Sequence, residues 1–179
     1  ATMTVGYAMD WQKIYRFTLC FGEARNTDDG EGTVIATSDA RPSDAEIEAV
    51  LDRFTGVISQ IPPKFSAIKV DGARAYDLAR DNEEVELKPR EVEIHDLVFT
   101  DRPDDDHAVF EVTCGKGTYM RALARDIAEA LGTVGYVSDL RRIAVGGFTE
   151  ERAISRDFLQ ESEDNPPLET YLHPIETAL

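Results

Sequence analysis

The segment Gly115-Lys116-Gly117-Thr118-Tyr119-Met120-Arg121 lies where an apolar run (Val109, Phe110, Val112, Cys114) gives way to an amphipathic stretch that begins at Met120. Two glycines, two cations and an aromatic at a strand-to-helix junction bring backbone N–H groups and fixed positive charge together, a combination suited to a phosphate or another anion. Tyr119 and Arg121, two residues apart, suit something flat and negatively charged. The segment is not a P-loop. That pattern requires Gly, four residues, then Gly-Lys-Ser/Thr, whereas Lys116 is followed by Gly117 and Phe110 stands where the first Gly belongs. By local pattern alone, a strand-to-helix turn with solvated cations explains the segment equally well.

Three further stretches carry chemistry-bearing residues. In Lys13-Ile14-Tyr15-Arg16-Phe17 an aromatic stands between cations, but in a strand Tyr15 and Arg16 point to opposite faces, which favours an ordinary core Tyr. Asn26-Thr27-Asp28-Asp29-Gly30 resembles the start of a calcium loop, yet positions six and twelve fall on Glu31 and Thr37, not Gly and Glu, so a polar hairpin turn is the better reading and a catalytic carboxylate the lesser one. Lys64, Lys69, Arg74 and Arg80 interleave with Phe65 and Tyr76, a mixture that suits RNA, with a solvated helical hairpin as the alternative. His95, His107 and His173 lack ligand spacing, and Cys20 and Cys114 lie in separate apolar runs; these patterns predict buried thiols and no metal site.

These residues must be positioned by one domain: 179 residues suffice for a real core, and no apolar run approaches the roughly 20 residues needed to span a bilayer. A net charge of −16 lowers the expectation of a polyanionic partner. The charge is uneven, however, because Thr113 to Arg125 holds three bases and no acid.

Alternation over Tyr15, Phe17, Leu19 and Phe21 predicts a strand, Asp28 to Gly32 a turn, and Thr33 to Thr37 a second strand. Ser43 and Glu46 form a capping box that opens a helix with Ile47, Val50, Leu51 and Phe54 on one face and Gly56 as its stop. Ile61 to Val70 is extended around Pro62-Pro63, and Ala73 to Arg80 is a short helix candidate. Val92 to Phe99 and Val109 to Cys114 read as strands, joined by a polar loop from Asp101 to His107. Met120, Leu123, Ala124, Ile127, Ala128 and Leu131 make a helical stripe ending at Gly132; a short helix is expected at Ile154 to Leu159. The elements lack a βαβ rhythm, which predicts an α+β fold with a mixed, mostly antiparallel sheet flanked by helices.

Taken in order, Lys13 to Phe17, Thr27 to Gly32, Ile61 to Lys69, Cys114 to Arg121 and Leu140-Arg141-Arg142-Ile143-Ala144-Val145 resemble the bacterial TruB-type tRNA pseudouridine synthases. The resemblance implies isomerisation of the T-loop uridine at tRNA position 55, by base flipping and by cleavage and re-formation of the glycosidic bond, with no cofactor and no metal. It implies Tyr15 stacked on the flipped base, Arg121 paired with a catalytic aspartate, Leu140 in the apolar pocket wall, and Lys116 and Tyr119 supporting the junction. It further implies an RNA-clasping insertion at 66–89, from which Lys69, Arg74 and Arg80 contact the T-stem backbone.

The nucleophilic aspartate of that family lies in a Gly-Thr-Leu-Asp-Pro-like loop that these 179 residues do not contain, and Asp28 and Asp29 belong to a separate acidic turn. The expectation is therefore a partial catalytic domain over 1–160, inactive by itself. Residues 161–179 would be an acidic, proline-containing tail leading toward a C-terminal extension. The whole protein would be cytoplasmic, monomeric, bound to the T-arm of tRNA and not to membranes. A non-catalytic RNA-binding or RNA-chaperone module is the alternative from a different class.

Overall fold

Residues 13–21 alternate in side-chain character, and in the computed structural model, which describes residues 10–66, 69–70, 73–74 and 87–154, they form β1 (Lys13–Phe21). Phe17 and Leu19 are fully buried and Phe21 nearly so, while Arg16 on the opposite face is exposed. β1 pairs antiparallel on one side with β8 (His107–Cys114) and on the other with β9 (Gly135–Val145). β7 (Arg90–Asp104), β4 (Gly56–Gln60) and β10 (Phe148–Thr149) complete a six-stranded sheet of order β10-β9-β1-β8-β7-β4, in which every neighbouring pair is antiparallel. β2 (Glu23–Arg25) and β3 (Val34–Thr37) form a separate hairpin that carries the turn at 26–33. The fold is α+β, as the spacing of elements predicts.

Among the described residues, two helices pack on the sheet. α1 (Asp44–Leu51) begins with a complete capping box: the Glu46 N–H donates to the Ser43 hydroxyl, and the Glu46 carboxylate accepts from the Ser43 N–H at 2.8 Å. Such caps satisfy backbone donors that the first helical turn leaves free. α2 (Met120–Ala130) turns Met120, Leu123, Ala124, Ile127 and Ala128 onto Phe17, Leu19, Phe110 and Val112, and Ile47 and Leu51 of α1 belong to the same core. The Phe17 and Phe110 rings stack with centroids 5.2 Å apart across the β1–β8 pair.

Three expectations change. The polar Asp101–His107 stretch is not a loop: β7 runs on to Asp104 and β8 restarts at His107, leaving a tight turn. Cross-strand pairing with His107 and Val109 holds the polar residues extended through two bulges, and the Arg102 guanidinium ties the tip to the Pro42 carbonyl and the Asp44 carboxylate. Ala73–Arg74 (β6) is strand, not helix, because it pairs antiparallel with Lys69–Val70 (β5); residues 71–72 and 75–80 lie outside the described residues. Near the end, Glu150–Arg152 is a single 3-10 turn, and the helix expected at 154–159 falls beyond residue 154, outside the described residues, as does the tail at 161–179. Among the described residues, no helix is long and apolar enough to cross a membrane.

Gly135 marks the point where β1, β9 and α2 converge. A Cβ there would lie 2.6 Å from Leu19 Cδ1, 2.9 Å from the Cys20 carbonyl oxygen and 3.1 Å from Ala128 Cβ. Gly135→Ala should therefore destabilise the fold by about 1–3 kcal/mol through overpacking. Urea unfolding would register this as a lower midpoint, and an unchanged midpoint would show that the convergence is looser than described.

Candidate active site

The sequence places Arg121 in the first turn of α2, and the fold gives it three partners from distant segments. Its Nη1 donates to the Asp29 carboxylate at 2.8 Å and to the Thr27 carbonyl at 3.0 Å, and its Nη2 donates to the Phe65 carbonyl at 2.8 Å. Asp29 is fixed in turn: Oδ1 accepts from the Thr27 hydroxyl at 2.6 Å and from the Glu31 N–H at 3.1 Å, leaving Oδ2 for the guanidinium. Both side chains are about three-quarters buried, with 23% of Arg121 and 26% of Asp29 exposed, so this charge-assisted bond is far less screened than a surface pair. Among the described residues, Nε–H and the second Nη2–H of Arg121 have no partner. A fork of five donors can thus accept a further carboxylate without giving up Asp29.

One helical turn further on, Arg125 repeats the arrangement. Its Nη1 donates to Asp28 at 3.0 Å, and its Nη2 to the Ile61 carbonyl at 2.9 Å and to Asp126 at 2.8 Å. Asp28 has φ +59, the left-handed region that Asp tolerates better than most residues. Its carbonyl accepts the Val137 N–H of β9 at 3.1 Å. Arg25 closes the other side of the turn: Nη1 reaches the Gly30 and Gly32 carbonyls at 3.0 and 3.2 Å, and the guanidinium lies 4.4 Å from the Tyr136 ring centroid.

Burial pushes the Asp28 carboxyl above the usual carboxylate range, against the opposing pull of the Arg125 and Arg121 charges. Asp126 is likewise raised by burial, with Arg125 opposing. Burial alone would lower Arg125, but the adjacent Asp126 and Asp28 charges outweigh it and hold the guanidinium charged.

The junction that first draws attention is less open than its sequence implies. Tyr119 occupies the N-cap of α2, and the buried Gln60 side chain brackets it: Gln60 Oε1 accepts the Tyr119 N–H at 3.1 Å, and Gln60 Nε2 donates to the Tyr119 carbonyl at 3.3 Å. Lys116 is mostly exposed and donates to Asp10 at 2.6 Å. Tyr15 is half-buried and packs on the core. Register pairs Phe17 with Leu140 and Tyr15 with Arg142, so Tyr15 and Leu140 share the sheet face that α2 covers, and Leu140 is 46% exposed there. Lys69 and Arg74 sit opposite each other in the β5–β6 hairpin; Arg80 and most of the 66–89 stretch lie outside the described residues.

The fold therefore joins Arg121 to an acidic turn that reads in sequence as a polar hairpin, and adds Asp28, Asp29, Arg125 and Gln60 to the site. The available signals were consecutive aspartates in a tight turn and arginines spaced i, i+4. Neither identifies its partner across 92 or more residues. A second arginine cluster, Arg41 with Asp106 and Arg102 with Asp44, is at the far end of the β7–β8 hairpin and clamps its tip. Among the described residues, no group of three His, Cys, Asp or Glu side chains is arranged to hold a metal.

Residues 1–120 match the family model described as TruB family pseudouridylate synthase (N terminal domain), and residues 121–179 match that of the tRNA pseudouridylate synthase B C-terminal domain. The whole chain is similar to the tRNA pseudouridine synthase B of Bradyrhizobium diazoefficiens, 56% identical over 184 residues and 53% of that protein's length. It is also similar to the protein of the same name from Caulobacter vibrioides, 53% identical over 179 residues and 58% of its length. The chain thus spans little more than half of these curated relatives. Among solved structures, it superposes on a chain of a Cbf5-Nop10-Gar1 complex with TM-score 0.69 and 24% identity, covering 99% of this chain and 46% of the other, a likeness of fold.

The raised Asp28 carboxyl sets a pH signature. The folded state binds that proton more tightly than the unfolded chain, so its contribution to stability is complete below the unfolded value of about 3.9 and is lost as pH rises through the folded value. Relative to Asp28→Asn, the parent chain should lose stability as pH rises from about 4. Denaturant midpoints of both proteins over that range provide the check. A difference that stays constant with pH, or moves the other way, would remove burial as the dominant influence on Asp28.

Proposed function

From the premise that this chain belongs to the TruB family of pseudouridylate synthases, we propose that it is the greater part of the catalytic domain of a cytoplasmic enzyme that converts the T-loop uridine of tRNA to pseudouridine. The observation that carries the reading is the Arg121 guanidinium. It is held by Asp29, the Thr27 carbonyl and the Phe65 carbonyl, with two donors that have no partner among the described residues, on the helix that covers the face of Tyr15 and Leu140. A nucleophilic carboxylate arriving at that fork would be kept ionised and oriented without any rearrangement of the arginine.

In this reading, the uridine leaves the loop stack at a cost of a few kcal/mol, which pocket contacts offset. Tyr15 stacks on the extruded base and Leu140 forms the apolar wall. The aspartate, supplied by a Gly-Thr-Leu-Asp-Pro-like loop, attacks at the sugar–base unit. The N-glycosidic bond breaks as the carboxylate bonds to the sugar, the uracil rotates, and its ring carbon then displaces the carboxylate to form the C–C bond; that carbon loses a proton while the freed ring nitrogen gains one, so atoms balance with no added reactant. Gln60 and Tyr119 fix the start of α2, and Lys69, Arg74 and Arg80 serve as phosphate contacts to the T-stem. The enzyme acts as a monomer.

The test is pseudouridine formation in a T-loop stem-loop, with the nucleophile loop present. Arg121→Ala should lower turnover by about 10²–10³-fold, in the range of a lost transition-state electrostatic contact, while RNA affinity stays near that of the parent. Tyr15→Leu should abolish product and leave folding nearly intact. Full turnover by either folded variant would remove that residue from the chemistry, and RNA binding without any product from the parent would favour a binding module.

A further inference from the structure

Arg121 and Arg125 are four residues apart on one face of α2, and each ties the same two chain segments together. Arg121 joins the acidic turn, through Asp29 and Thr27, to the Phe65 carbonyl. Arg125 joins that turn, through Asp28, to the Ile61 carbonyl, and Asp126 holds its guanidinium through both Nε and Nη2. Two rungs one helical turn apart fix the angle at which the turn and the 61–65 segment meet α2 more closely than one alone.

Asp28 is the costly member. It adopts φ +59, where glycine or asparagine would suffer less strain, and its carboxylate is only 15% exposed. A solvated hairpin turn would need neither feature. The main chain of Asp28 is also gripped on both sides, by the Arg25 carbonyl at 3.0 Å and the Val137 N–H at 3.1 Å, so the direction in which Asp29 leaves it is set.

We propose that Asp28 and Arg125 are positioning residues that aim Asp29 at Arg121 and so hold the Arg121 guanidinium in its working orientation. The inference rests on the catalytic reading of Arg121 given above. Neither residue touches the substrate. They act through Asp29, so their loss should affect turnover and leave substrate binding alone.

The experiment measures kcat and KM for a T-loop stem-loop with Arg125→Gln, Arg125→Lys, Asp28→Asn and the Asp28→Asn/Arg125→Gln double variant, in the enzyme with its nucleophile loop present. Arg125→Gln is expected to lower kcat by about tenfold or more, with KM within about twofold. Arg125→Lys should fall between, because an ammonium keeps the charge but not the fork. The double variant should lose no more than the worse single one. In parallel, guanidinium NMR of the 179-residue chain should show faster rotation of the Arg121 group in Arg125→Gln. That arm decides the positioning role even if no pseudouridine forms, an outcome that would instead overturn the catalytic reading. A kcat loss that merely follows the folded fraction, or an Arg121 signal that does not change, would reduce the pair to a structural ion pair.

Discussion

Two arginines on one helix hold consecutive carboxylates of one tight turn, and the rest of the site is arranged so that these two charge pairs survive partial burial. Surface ion pairs contribute about 0–1 kcal/mol, as expected for Arg16 with Glu111, where both side chains are well exposed. The Arg121–Asp29 and Arg125–Asp28 pairs differ because all four side chains keep about a quarter or less of their surface in solvent. Removing one partner from such a pair leaves a charge stranded and costs about 3–5 kcal/mol when fully buried, with partial exposure reducing that figure. Backbone carbonyls of Thr27, Phe65 and Ile61 take further guanidinium donors, so the arginines are held by geometry as well as by charge.

This arrangement reconciles a net charge of −16 with a site built around cations. The three bases between Thr113 and Arg125 each meet at least one acid: Lys116 meets Asp10, Arg121 meets Asp29, and Arg125 meets Asp28 and Asp126. The local basic island is therefore close to neutral, and it is shaped to orient a carboxylate rather than to attract a polyanion at long range. Attraction of an RNA backbone would have to come from elsewhere: exposed Lys64 and Arg90 flank the 66–89 stretch where the resemblance puts the RNA contacts, and exposed Lys88 lies within it.

The elements themselves were legible because their signals are local. The alternation of Tyr15, Phe17, Leu19 and Phe21, the Ser43–Glu46 capping box and the stripe from Met120 to Leu131 each specify their own conformation. The Asp101–His107 stretch misled because its polarity reports solvent exposure, and an exposed hairpin arm is as polar as a loop. The site was legible only in part. Arg121 stood out at its junction, but its partner did not. Asp29 comes to it through the β2–β3 hairpin and a bridge to Val137, contacts that exist only once the sheet order is set. Gln60 gave no signal at all, since a glutamine before Ile61-Pro62-Pro63 looks like a strand end, and only its burial and its two bonds to the Tyr119 main chain show that it braces the start of α2.

A double-mutant cycle with Asp29→Asn and Arg121→Gln, read as kcat/KM for pseudouridine formation in the enzyme with its nucleophile loop, shows whether Asp29 and Arg121 act as one unit. The account predicts a coupling energy above about 1 kcal/mol, with the double variant little worse than Arg121→Gln alone. Losses that add to within about 0.5 kcal/mol would mean that the two residues work independently, and the pairing on which this account of the site rests would not be the one the chemistry uses.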